Sequence, residues 1–243
     1  MKFTILIPIF LVVACQVQKK EEPYIDDVIL EDTSDYHKLR ANSHAVTASL
    51  NLSENKQKEI TVRYITIADK KNVPVTILHL PSAAVTEAKN KNGAFMHRER
   101  VILQFIDTLR KTFSSHCSKK DSSSSKYSEV FSILCAQLKA LAERRAIIKR
   151  IYLYSDLQEN SSLFSCYTAK GRQLLKKDPD SIARKFRSAV LLPASLKGVT
   201  LYLINEPTSR ENDENYSRLV FIYRKALEPL GLVILQHAQN SSF

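Results

Sequence analysis

Beginning at Tyr24, the chain switches repeatedly between two hydrophobic periods. Runs of apolar and β-branched residues with a two-residue alternation mark strands, whereas apolar residues that return every three or four positions mark one face of a helix. A first strand ends near Asp32, where VILEDTSDY at residues 28 to 36 passes from three apolar residues into hydroxyls and carboxylates. A helix-compatible stretch covers about residues 37 to 50. EITVRYITIA at 59 to 68 and VPVTILHL at 73 to 80 then alternate as two strands, and the short polar link DKKN between them predicts an antiparallel hairpin.

Further on, Val101, Ile102, Phe105, Ile106, Leu109 and Phe113 recur at helical spacing, and Tyr127, Val130, Phe131, Leu134, Leu138 and Leu141 do so again. The polar stretch KKDSSSSK separates these two helices. IIKRIYLYS at 147 to 155 is largely apolar on both faces, as expected for a central strand covered by helices on both sides. GVTLYLINEP at 198 to 207 is another strand, residues 215 to 230 form an amphipathic helix stopped by Gly231, and LVILQHA is the last strand. No internal repeat is visible.

This order predicts an α/β fold: a Rossmann-like open, mostly parallel sheet with helices on both faces and an antiparallel edge hairpin. The fourth strand, residues 151 to 155, is expected beside the first, residues 28 to 31, parallel to it and central. Ligands of such sheets sit outside the C-terminal strand ends, where the strand order reverses. Asp32, Thr33 and Ser34 end one of these strands and Ser155 and Asp156 end the other, so the topology predicts that their oxygens meet at one crevice. Taken singly, Asp32 and Ser34 also fit as caps of the first helix, and Ser155 and Asp156 as caps of the helix after the fourth strand.

The length of 243 residues suits one well-buried domain, and 44% hydrophobic with 25% charged residues is an ordinary globular composition. A formal charge of +11 would attract phosphate-rich partners. The basic residues are nonetheless scattered, as in KLR, HRER, ERR and RQLLKK, without an aromatic-interleaved motif, so no nucleic-acid partner is expected. His37, His44, His79, His97, His116 and His237 show no metal-ligand pairing, and no cysteine pair has C-x-x-C spacing. Cys135 falls on an amphipathic helix, where core packing explains it.

At the N-terminus, Lys2 precedes an apolar run from Phe3 to Val13, followed by Ala14 and Cys15. This is export architecture, and the run is roughly half of the ~20 residues a spanning helix needs. The stretch Leu11-Val12-Val13-Ala14-Cys15 resembles the lipobox of a bacterial lipoprotein signal peptide. The resemblance implies cleavage before Cys15 and acylation of that cysteine, which would hold the protein on a membrane through its acyl chains. Gln16, where many inner-membrane lipoproteins carry aspartate, points to the outer membrane and leaves its periplasmic or surface face open. The expected division is a signal peptide over 1–14, a lipidated flexible tether over 15–23, and one folded domain over 24–243.

Over that domain the chain resembles a von Willebrand factor type A domain, whose first strand ends in D-x-S-x-S and whose fourth ends in an aspartate. Asp32 and Ser34 match the first two motif positions, Asp156 matches the fourth-strand aspartate, and Ser125 in the SSSS loop stands where the family carries a threonine. The resemblance implies a metal-ion-dependent adhesion site in which Asp32, Ser34, Ser125 and Asp156 hold magnesium, whose open position takes a carboxylate from a protein ligand. Tyr36 occupies the place of the last serine, so magnesium binding is expected to be weak or lost. The expected function is a membrane-anchored cell-envelope module that binds a protein or envelope ligand. The alternative is a phosphatase-like hydrolase with Asp32 at the same crevice; no G-x-S-x-G, H-E-x-x-H or phosphate-binding glycine loop occurs in support of it.

Overall fold

The computed structural model describes residues 24–33, 40–67, 74–90, 97–118 and 128–237. Cys15, Ser34, Tyr36 and Ser125, together with the signal peptide, the tether and the DKKN link, lie outside the described residues.

Six strands form one sheet in the order β3-β2-β1-β4-β5-β6. β1 is Tyr24–Asp32, β2 Glu59–Ile67, β3 Val75–Leu80, β4 Ile148–Tyr154, β5 Val199–Ile204 and β6 Val233–His237. β1 pairs in parallel with β2 on one side and with β4 on the other, placing Val28 beside both Arg63 and Ile151. β3 runs antiparallel to β2, with Ile65 opposite Val75, so the edge hairpin expected from sequence is present. The strand order reverses between β1 and β4, which puts the crevice where the sequence placed it.

Two helical layers cover the sheet. On one face α5 (Val130–Ala142), α6 (Ala169–Lys177), α7 (Pro179–Ala189) and α8 (Arg210–Leu227) pack over Val28, Leu30, Ile151, Leu153, Leu201 and Leu203. On the other, α1 (Ser43–Ser49) and α4 (Arg98–Ser118) cover Ile25, Ile29, Tyr152 and Tyr154. Two short helices, α2 (Leu52–Asn55) and α3 (Ala83–Asn90), were not anticipated from periodicity, and the stretch between β4 and β5, where one helix was expected, carries two, α6 and α7. α2 has too few residues to show a period. α8 begins at Arg210, earlier than its apolar stripe, because Ser209 accepts a hydrogen bond from the Asn212 N–H and caps a polar first turn. A single 3-10 turn, Glu228–Leu230, follows α8, and Gly231 at φ 89° ends it in the left-handed region. Among the described residues no helix is long and apolar enough to cross a membrane.

β1 reads YIDDVILED, and its four acidic side chains are all buried in the middle of the sheet. Alternation sends Asp26 and Asp32 to one face, with Val28 and Leu30 between them, and Asp27 and Glu31 to the other, with Ile29 between them. Such burial is tolerable only where every carboxylate finds donors. Arg63 and Arg144 both pair with Asp26. Arg150 grips Asp27 with Nε at 2.8 Å and Nη2 at 2.7 Å. Burial pushes the Asp27 carboxyl up, and the Arg150 guanidinium opposes that shift. Glu31 accepts from Arg40 at 2.6 Å, the Tyr64 hydroxyl at 2.8 Å and the Ala41 amide at 3.0 Å. These bonds tie β1 to β2, to β4 and to the segment entering α1. They leave Asp32 at the C-terminal end as the acid that faces the crevice.

Candidate functional site

The crevice is assembled from three stretches of chain: the end of β1, the segment entering α5 and the loop after β4. Asp32 Oδ2 accepts a hydrogen bond from the Ser155 hydroxyl at 2.9 Å and a longer one from the Ser128 hydroxyl at 3.4 Å. The parallel register makes this possible, because Glu31 is paired with Tyr154 and the next residue of each strand therefore lies at the same height. Asp32 and Ser155 thus meet as the strand endings predicted. Asp32 is not the cap of α1; Asn42 is, accepting from the His44 N–H at 2.8 Å. Nor do Ser155 and Asp156 cap a helix, since the next one begins only at Ala169, under its own cap Thr168. Instead they fold the loop tightly: Ser155 Oγ accepts from the Leu157 N–H at 2.9 Å, and Asp156 Oδ1 from the Gln158 N–H at 2.8 Å.

Leu157 between them adopts φ 63°, a left-handed conformation that is rare for a residue with a branched side chain. Its side chain is fully buried. Strain of this kind costs about 1–3 kcal/mol and persists only where surrounding contacts enforce it. Here the Ser155 and Asp156 side chains enforce the turn while Leu157 is held in the core.

Reading the sequence did not single out Ser128, Glu129 or Glu159. Ser128, three positions past Ser125, is the hydroxyl of this loop that reaches Asp32 among the described residues. Glu129 precedes α5 without capping it through its side chain. Glu159 does so from a distance: its Oε2 accepts from the Phe131 N–H at 3.0 Å, in the first turn of α5. Backbone bonds between Ser128 and Asn160, at 2.9 and 3.1 Å, stitch the same two segments together. The available signal was the carboxylate just beyond the apolar run in IYLYSDLQEN, which carries no period and so no direction.

The electrostatics are those of a buried acidic cluster. Glu159 is completely buried, and burial raises its pKa to about 7, with the nearby charges of Glu129 and Asp32 adding to the shift while Ser161 and the Phe131 amide oppose it. Burial likewise pushes the Cys166 thiol up to about 12, aided by Asp156 and Glu159. Cys135 is raised by burial too, and both cysteines are free. Buried, protonated thiols of this kind are inert as nucleophiles. Beside Asp156 the crevice opens into a shallow polar pocket lined by Gln158, Asn205, Glu206, Pro207, Thr208 and Asn212, at the ends of β4 and β5 and the start of α8.

Magnesium prefers an octahedral shell of oxygens and retains waters where the protein supplies few. Asp32, Ser128 and Ser155 are oxygen donors, but at 6%, 2% and 1% exposure they leave little space for such waters. Asp156 already has Oδ1 engaged by the Gln158 amide. Among the described residues no group of three or more His, Cys, Asp or Glu is arranged to hold a metal ion. The described donors therefore do not fit a magnesium site on their own.

No protein-family model matches the chain, and no curated protein matches it. Among solved structures, the chain is similar to an aerotolerance-related membrane protein from Bacteroides fragilis carrying multiple mutations to serines. The alignment covers 88% of this chain and 91% of that one at 10% identity and a TM-score of 0.35. A likeness of that size transfers no property, and the fold assignment rests on the strand order and register.

Proposed function

We propose that the chain is a lipid-anchored protein of the bacterial cell envelope whose α/β domain, of von Willebrand factor A type, is a binding module that engages a protein or envelope ligand through the rim of the crevice. The observation that carries this reading is the convergence of Asp32, Ser128 and Ser155 at the reversal of strand order, next to an open polar pocket that starts at Asp156. Open α/β sheets bind their ligands at this place. Asp32 is buried and receives two hydroxyl hydrogen bonds, so its carboxylate positions the rim and is poorly placed to attack a substrate. Contact with the ligand then falls to the groups that line the pocket, Glu206, Thr208 and Asn212 with Asp156 at its edge, and magnesium is not needed for it.

The test is photo-cross-linking in cells from an unnatural residue at Thr208 of the full chain. Adducts that form from Thr208 and are lost with Asp156→Ala support the reading. Adducts equally strong from a probe at Lys185 on exposed α7, or unaffected by Asp156→Ala, would sink it.

A further inference from the structure

We propose that Glu159 is a proton-operated latch that holds the loop after β4 against the start of α5 and so sets how tightly the crevice is closed. The inference concerns regulation of the crevice assigned above and needs the binding reading only for its consequence; the contacts of the latch stand without it.

The geometry is that of a carboxyl group wedged between two segments. Glu159 has no exposed surface, its Oε2 takes the Phe131 amide, and its Oε1 has no hydrogen-bond partner of normal geometry among the described residues. The loop is also held through main-chain bonds that flank the same side chain: Ser128 with Asn160 in both directions, and the Cys166 N–H to the Glu159 carbonyl at 2.8 Å. Leu157, two residues earlier, sits in its strained left-handed conformation. Releasing the loop would relax that strain, so the closed form depends on these few contacts.

The ionisable groups facing Glu159 come from every element packed around it. Asp32 faces it from β1, Glu129 from the segment entering α5, Cys135 from α5, Cys166 from its own loop and Tyr223 from α8. All are acidic or neutral. A proton on Oε1 neutralises the carboxyl while leaving the Phe131 bond on Oε2 in place. Loss of that proton to solvent puts a negative charge beside Glu129 and Asp32 at a fully buried position. Ser161 and the Phe131 amide N–H at the helix start offset only part of this.

The direction follows from linkage. Burial raises the Glu159 pKa in the closed loop from 4.5 to about 7, and a released, solvated glutamate returns to its ordinary value. Closing therefore takes up a proton, the closed form is fully favoured in mild acid, and it weakens as pH rises through neutrality.

Residue-resolved hydrogen exchange on the full chain in detergent tests this at the Ser128, Phe131, Asn160 and Cys166 amides, between pH 5.5 and 8.5, after correction for intrinsic exchange. Protection at these four amides is expected to fall about tenfold or more over that range, while Ile151 and Leu153 in central β4 stay level. In Glu159→Gln the fall should vanish. In Glu129→Gln it should persist but move to lower pH, because removing a neighbouring carboxylate lowers the Glu159 pKa and the loop then opens earlier. A level profile in the wild type, or an unchanged fall in Glu159→Gln, overturns the latch. Either result leaves the cross-linking test of the binding reading untouched, so the two can fail separately.

Discussion

Ser155 donates a 2.9 Å hydrogen bond to Asp32 across 123 positions of sequence, joining the ends of two strands that lie side by side in the sheet. A hydrogen bond to a buried carboxylate is worth more than one between neutral groups, and the carboxylate becomes costly once the donor is removed. Ser155→Ala should lower unfolding stability by about 1–3 kcal/mol, read from denaturant midpoints at unchanged slope. An unshifted midpoint would show that Asp32 is satisfied without Ser155.

Arg150 and Asp27 form the bidentate ion pair on the opposite face of the sheet. Arg150→Ala strands a buried carboxylate and is expected to cost about 3–5 kcal/mol. The double replacement Asp27→Leu with Arg150→Met should cost less than Arg150→Ala alone, because it removes both charges and keeps the volume. Thermal melts of the three proteins decide the order.

Global stability should follow Glu159. Its folded pKa lies above the unfolded value, so its contribution is fully present below about pH 4.5 and lost as pH rises through about 7. Relative to wild type, Glu159→Gln should gain stability between pH 6 and 8.5, by no more than roughly 3 kcal/mol. Parallel stability curves for the two proteins across that range would contradict the assignment.

Calorimetry with magnesium and manganese addresses the adhesion-site resemblance. No binding heat is expected at millimolar metal, since the described oxygens are buried around Asp32 and Tyr36 replaces the last serine of the motif. Heat that disappears in Asp32→Ala, with the melting temperature of that variant intact, would restore the metal to the crevice.

Anchoring rests on Cys15. Metabolic labelling with a fatty-acid analogue should mark the wild-type chain and leave Cys15→Ala unlabelled, with the uncleaved precursor accumulating. Equal labelling of both would mean that the lipobox resemblance is misleading.

Periodicity alone determined where strands and long helices lie, because burial on one face or two writes a repeat of two or of three to four into the chain. The central place of IYLYS, the antiparallel edge of β2 and β3, and the pairing of β1 with β4 were all legible from apolar runs and their order. So was the meeting of Asp32 with Ser155, since chain direction and parallel pairing bring both strand ends to one edge. The partners of the other three carboxylates in β1, Asp26, Asp27 and Glu31, were not legible. Arg63, Arg144, Arg150 and Arg40 lie on other elements, and side-chain reach across a sheet leaves no spacing in the sequence. Ser128 and Glu159 were hidden for the same reason. Each sits in an aperiodic loop, and what they touch follows from how the segment before α5 lies against the loop after β4, a relation that tertiary packing alone decides.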